Sequence, residues 1–182
     1  MRFLPTDIPD VLIVEPDLIE DSRGFFMETW HAGKFHQAGL DLVFTQENHS
    51  RSAHRVLRGL HYQIQQPQGK LVRVLAGEIF DVVVDLRRSS PSFKRWAGVT
   101  LSAANRQQLW IPPGFAHGFY VTSHEGADVV YKCTALYSPE HERTLRWDDP
   151  SLSIAWPVEG APPILSTKDS AGLSFESAPL YP

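Results

Sequence analysis

The chain has 182 residues, a formal net charge of −4 and 42% hydrophobic residues. This length and apolar content exclude a disordered chain and fit a single domain, residues 1–182, with a sizeable core. The acidic balance excludes a global attraction to nucleic acid or a membrane surface, so an anionic ligand must be held by a local cluster of cations.

In chain order, the opening "MRFLPTDIPDVL" contains no long apolar run. Neither a signal peptide nor a membrane span is expected there, and a cytoplasmic location is the default. Strands are expected over residues 11–20 and 25–30. A short helix is expected over "HAGKFHQAG", residues 31–39, with Gly39 as its stop signal. A strand over 43–49 follows. "RVLRGLHYQIQQPQGKLVRV", residues 55–74, then reads as two strands joined by a polar turn. "KLVRVLAGEIFDVVVDLR" alternates most clearly: Phe80, Val82, Val84 and Leu86 fall on one face, and Ile79, Asp81, Val83, Asp85 and Arg87 on the other. Gly77 and Glu78 turn the chain between its halves. Further strands are expected over 97–102, 107–111, 118–122 and 129–136. "SPEHE" is expected to start one more helical turn, with Ser138 as cap and Pro139 at the first helical position. The tail after Trp147 is rich in Pro and Ser, yet Leu152, Ile154, Trp156 and Ile164 give it apolar anchors, so an ordered wrap is expected. Many short strands at close spacing, without repeat or linker, imply an all-β sandwich or barrel with a few short helices.

The first question of chemistry is why Arg58, His61 and Lys70 stand so close together among Leu, Val and Tyr. On a straight strand Arg58 and His61 point to opposite faces; a bend at Gly59 would bring them together. Singly, each has an ordinary structural explanation. Together on adjacent strands they set three polar groups into an apolar cavity, as functional sites do. Cys133 is the only cysteine, so no intrachain disulfide forms; within "VVYKCTAL" it reads as a buried thiol.

"LWIPPGFAHGFYV", residues 109–121, carries a rigid Pro-Pro-Gly turn followed by His117. The pattern P-x-G-x-x-H resembles the second motif of the cupin superfamily of small β-barrels, many of which bind a transition metal. The first motif departs. Gln63 stands where the second His of H-x-H would be, and Lys70 where the metal-binding Glu would be. An ammonium has no lone pair to offer a metal and repels it, so an acid–base site without metal is expected.

The resemblance then narrows. "DSRGFFMETW", "TQENHSRS", "VLRGLHYQ", "GKLVRVLAGEIFDVVVDLRRSSPSF", "LWIPPGFAHGF", "VVYKCTALYSPEHERTLRWDDPSLSIAWP" and "ILSTKD" resemble, in order, the dTDP-4-dehydrorhamnose 3,5-epimerases. The resemblance implies a cupin-type jelly-roll β-barrel, a homodimer, a dTDP-4-keto-6-deoxy sugar as substrate in nucleotide-sugar metabolism, and no metal or organic cofactor. Inversion beside a ketone needs a base, a fixed cation or donor for the enolate, and an acid on the opposite face of the sugar. By resemblance, His61 matches the base, Asp169 the carboxylate that orients it, Lys70 the enolate-stabilising cation and Tyr131 the proton donor. Arg23, Arg58 and Lys168 would meet the pyrophosphate, for which Arg forks and Lys point charges are suited. Glu28, Gln46, Asn48, His117 and Glu142 match other binding positions, and Phe26 would stack on the base or pack in the core. The family's N-terminal segment crosses to the partner, so Arg23 and Glu28 would act in the neighbouring site.

Ala135 and Leu136 replace a polar residue and a Tyr of many members, and Leu136 is expected to alter contacts near the proton donor. Three alternatives stand beside double epimerisation: inversion at C3 only or C5 only, a non-catalytic nucleotide-sugar-binding cupin, and a metal-dependent cupin oxygenase, the last disfavoured by Gln63 and Lys70.

Overall fold

The computed structural model describes residues 1–182. Four short strands open the chain: β1 (Arg2–Pro5), β2 (Leu12–Glu15), β3 (Leu18–Asp21) and β4 (Gly24–Met27). After helix α1 (Ala32–Gln37) come β5 (Gln46–Ser52), β6 (Leu57–Gln63), β7 (Lys70–Ala76), β8 (Glu78–Asp85), β9 (Trp96–Ser102), β10 (Gln108–Ile111), β11 (Phe115–Val121), β12 (Ala127–Cys133) and β13 (Glu142–Thr144). Helix α2 (Thr167–Ser170) interrupts the C-terminal tail.

The strands form a six-stranded sheet ordered β1-β2-β10-β7-β12-β5 and a five-stranded sheet ordered β13-β6-β11-β8-β9. All pairings within them are antiparallel. The expected all-β jelly roll is therefore present, as two backbone ladders packed face to face. Val72 and Val74 from one sheet meet Ile79, Val83, Phe119 and Val121 from the other in the layer between them. Each buried aliphatic side chain of this kind contributes about 1.5–3 kcal/mol relative to exposure.

The alternation in β8 splits as its sequence predicts. Ile79 and Val83 enter the inter-sheet layer. Val82, Val84 and Leu86 face outwards and are covered by Leu152, Phe175 and Ala178 of the tail. The tail thus wraps the five-stranded sheet. On the other sheet, Phe35 of α1 packs against Val14, Leu71 and Trp110.

Several expectations change. The strand over 11–20 breaks into β2 and β3 around Pro16, which lacks the N–H that a ladder requires. The turn expected from Ser138 does form, a single one closed onto the Ser138 carbonyl, and it goes no further because Glu142 is already paired with Gln63 across β13 and β6. Ile164 anchors the tail through its backbone, bonded to Arg55 and Leu57, while its side chain is 52% exposed. Strands β3 and β4 pair only with each other and carry Ile19, Phe25 and Phe26 into the open. No helix is long and apolar enough to cross a membrane.

Candidate active site

Strand β6 lies between β13 and β11. Its register against β11 slips between His117 and Phe119, where Gly59 and Gly118 touch backbone to backbone. A Cβ at Gly59 would lie 2.5 Å from the Gly118 Cα, and Gly59 has φ of +123°, so only glycine fits. The slip rephases the strand. Arg58 and His61, on opposite faces of a straight strand, both line one cavity of about 320 Å³.

His61 is paired with a carboxylate from far along the chain. Its Nε2 lies 2.6 Å from Asp169 Oδ1. Asp169 sits on α2, whose N-cap is Ser166. The Ser166 hydroxyl donates to Asp169 Oδ2 at 2.7 Å and accepts from the Asp169 N–H at 3.1 Å. The Gly59 N–H adds a longer contact to Oδ1 at 3.4 Å. Burial alone would raise the Asp169 carboxyl; the hydrogen bonds from His61 and Ser166 outweigh it and hold it below the ordinary carboxylate value. For His61, burial is the largest influence and pushes the ring below the usual imidazole value, against the opposing pull of Asp169. An ionised carboxylate can only accept, so the neutral ring gives Nε2–H to Asp169 and keeps Nδ1 as its basic nitrogen.

The opposite sheet supplies two further titratable groups. On β7, Lys70 shares a face with Val72 and Val74 and enters the interior between Ile111 and Cys133. Burial pushes its ammonium below the ordinary lysine value, while Cys133, Asp81 and Glu142 pull the other way. Tyr131 on β12 lines the cavity, and burial raises its phenol. The imidazole therefore comes from one sheet, and the phenol and ammonium from the other.

Around them, β5 offers Gln46, Asn48 and Ser50 from its inward face. Gln46 donates to Asn48 at 2.9 Å and accepts from the Tyr137 N–H at 2.8 Å. Arg58 is steadied by Ser52 Oγ at 2.9 Å and lines the cavity. Lys168 reaches both oxygens of Glu142 at 2.9 Å, and the Tyr137 hydroxyl donates to the same carboxylate at 3.0 Å. His117 is buried at the cavity wall with Nε2 2.9 Å from Asp81 Oδ2. With Arg58, Lys70 and Lys168 set against one carboxylate, the cavity suits a polyanionic ligand.

Of the expected site residues, the cavity gathers Gln46, Asn48, Arg58, His61, Lys70, His117, Tyr131, Glu142 and Lys168, with Asp169 directly behind His61. Arg23, Phe26 and Glu28 lie elsewhere. Arg23 is paired with Asp21 on the exposed β3–β4 hairpin, and Glu28 with Lys34 at 2.9 Å. Phe26 is 67% exposed, so it does not pack in the core. Leu136 points to solvent rather than into the cavity; the lining residue of that loop is Tyr137. Gln63 is buried and fully engaged with loop backbone, donating to Gln66 and Leu136 and accepting from Ser138. Ser50, Phe119 and Tyr137 line the cavity without having been foreseen. Ser50 was readable from the period-2 alternation with Gln46 and Asn48, and Ser166 from the capping pattern S-x-x-D.

Comparison with known proteins identifies the family of the chain. The family model described as dTDP-4-dehydrorhamnose 3,5-epimerase matches residues 5–177. A protein of that name from Pseudomonas aeruginosa is 55% identical over 183 residues, covering 100% of both chains. One from Neisseria gonorrhoeae is 55% identical over 178 residues, covering 98% of this chain, which spans only 54% of that protein's length. The crystal structure of dTDP-6-deoxy-D-glucose-3,5-epimerase from Legionella pneumophila, in complex with dTDP-4-keto-L-rhamnose, superposes with a TM-score of 0.95 at 49% identity, covering 99% of this chain and 97% of that one. The chain belongs to the dTDP-4-dehydrorhamnose 3,5-epimerase family.

Proposed function

We propose that the protein inverts C3 and C5 of dTDP-4-dehydro-6-deoxy-D-glucose, giving dTDP-4-dehydro-L-rhamnose. One observation carries the proposal: a carboxylate-backed imidazole and a phenol enter the same cavity from opposed sheets, with an ammonium between the strands. His61 Nδ1 takes the proton beside the ketone, and the C–H electron pair moves into the C4–O enolate. Lys70 stabilises that oxyanion. The Tyr131 O–H then delivers its proton to the opposite face, and solvent restores the phenol and removes the proton from His61. Burial keeps the phenol protonated until an enolate is there to receive it. Arg58 and Lys168 bind the pyrophosphate, Lys168 exchanging one oxygen of Glu142 for phosphate. The mechanism requires no metal or organic cofactor.

The active unit in this proposal is a homodimer of single-domain chains. Arg23, Phe26 and Glu28 lie away from the cavity of their own chain, and the β3–β4 hairpin exposes Ile19, Phe25 and Phe26. Such a hairpin is suited to reach a neighbour's cavity, where Arg23 would meet phosphate and Phe26 the base.

The test is solvent deuterium incorporation into dTDP-4-keto-6-deoxyglucose. Label at both C3 and C5 is expected. Label at one carbon alone would replace double inversion with a narrower epimerase. Tight binding without label would leave only a binding module.

A further inference from the structure

Asp81 is a charged side chain at the centre of β8 with no exposed surface. Its neighbours on that strand's inward face, Ile79 and Val83, are apolar, while Asp85 at the strand's end is held by Arg87, Ser90 and Ser92. A carboxylate in such a layer is costly unless its oxygens are partnered. Only one is: Oδ2 meets His117 Nε2 at 2.9 Å. Oδ1 is buried and has no hydrogen-bond partner in the protein. From the opposite sheet, Lys70 enters the same interior and raises the complementary problem of a buried cation.

Lys70 is influenced by Cys133 on β12, Asp81 on β8, Glu142 on β13 and Lys168 on α2, and it acts in turn on His61 of β6. Of the anionic candidates, Cys133 carries no charge at neutral pH, because burial pushes its thiol up. Glu142 is already bound to Lys168. Asp81 is the remaining carboxylate, and it is committed to no cation. We propose that Asp81 is a positioning residue: it fixes the His117 ring at the cavity wall and balances the Lys70 ammonium across the interior, so that Lys70 stays charged where the enolate forms. The proposal rests on the reading of Lys70 as the enolate-stabilising cation.

The experiment compares Asp81→Asn, Lys70→Met and the double variant, using solvent deuterium incorporation into the dTDP-4-keto-6-deoxy sugar across pH. Asp81→Asn keeps an oxygen for His117 and removes the charge. It is expected to lower kcat about tenfold to a hundredfold, with KM within about threefold, and to move the basic limb of the kcat profile to lower pH. In the Lys70→Met background the same change is expected to cost little more, since the charge it balances is gone. Wild-type kcat and an unmoved basic limb in Asp81→Asn overturn the proposal. Near-normal turnover in Lys70→Met overturns instead the reading on which it rests. Should Asp81→Asn fail to fold, Asp81→Glu decides. A basic limb at the wild-type pH with lowered kcat supports the proposal, and a wild-type kcat with the carboxylate displaced by a methylene overturns it.

Discussion

His61 and His117 face each other across the β6–β11 ladder, and each ring sets Nε2 against a buried carboxylate, at 2.6 Å for Asp169 and 2.9 Å for Asp81. Their surroundings differ. The His61 side chain is 23% exposed, and its carboxylate arrives from the distant tail with Ser166 donating to the second oxygen. The His117 side chain is 8% exposed, and its carboxylate sits on a central strand with one oxygen unpartnered. The same two residue types therefore do different work. A fully partnered carboxylate leaves His61 open to gain and release a proton at its free nitrogen. At His117 the second carboxylate oxygen stays unpartnered beside a sealed ring.

The largest effect that could break this contrast is expected at His61 itself. His61→Ala should lower the epimerisation rate about a thousandfold while the fold survives. His117→Asn should cost far less; equal losses in a steady-state assay would show that both pairs act as bases. Tyr131→Phe comes next. About a hundredfold loss of inversion is expected, but deuterium should still enter the recovered substrate with retained configuration, because His61 can return a proton to the face it came from. Equal loss of exchange and inversion would remove Tyr131 from the donor role.

Asp169→Asn sharpens the contrast through pH. His61 must be neutral to accept a proton, so activity falls as the medium becomes acidic enough to protonate it. Asp169 raises the His61 pKa; removing its charge should therefore move the acidic limb of kcat to still lower pH. The plateau should drop about tenfold to a hundredfold, as for loss of a hydrogen bond to a charged group. A limb that moves to higher pH would contradict the assignment of the partner.

Much of the two-sheet fold was legible because period-2 alternation is a local signal. Ile79 through Leu86 divided correctly between the two faces, and Gly77, with φ of +76°, made the turn expected of it. The convergence of Arg58 and His61 on one cavity was legible only conditionally, since the register slip depends on Gly118, more than fifty residues further along. Asp169 had no local signal of its own; a carboxylate in a Pro- and Ser-rich tail reads as solvated until the wrap brings it to β6. Strands β1 and β13 are only 4 and 3 residues long, too short for periodicity to register.

The smallest effect concerns the support of the His61 carboxylate. Ser166→Ala removes both the helix cap and a donor to Asp169. Loss of the cap should destabilise the fold by about 1 kcal/mol, a fall in Tm of roughly 2–4 °C for a chain of this size. Turnover should fall by a further small factor if the carboxylate loosens. An unchanged melting curve would show that α2 is held by its packing alone.

Because the imidazole and the phenol hang from different sheets, the aperture between them is set by the thickness of the hydrocarbon layer that separates those sheets. Val72, Val83, Phe119 and Val129 thus act as spacers for the proposed proton relay, none of whose members is aliphatic. In the proposed mechanism, stereochemical outcome is therefore calibrated by the girth of the core.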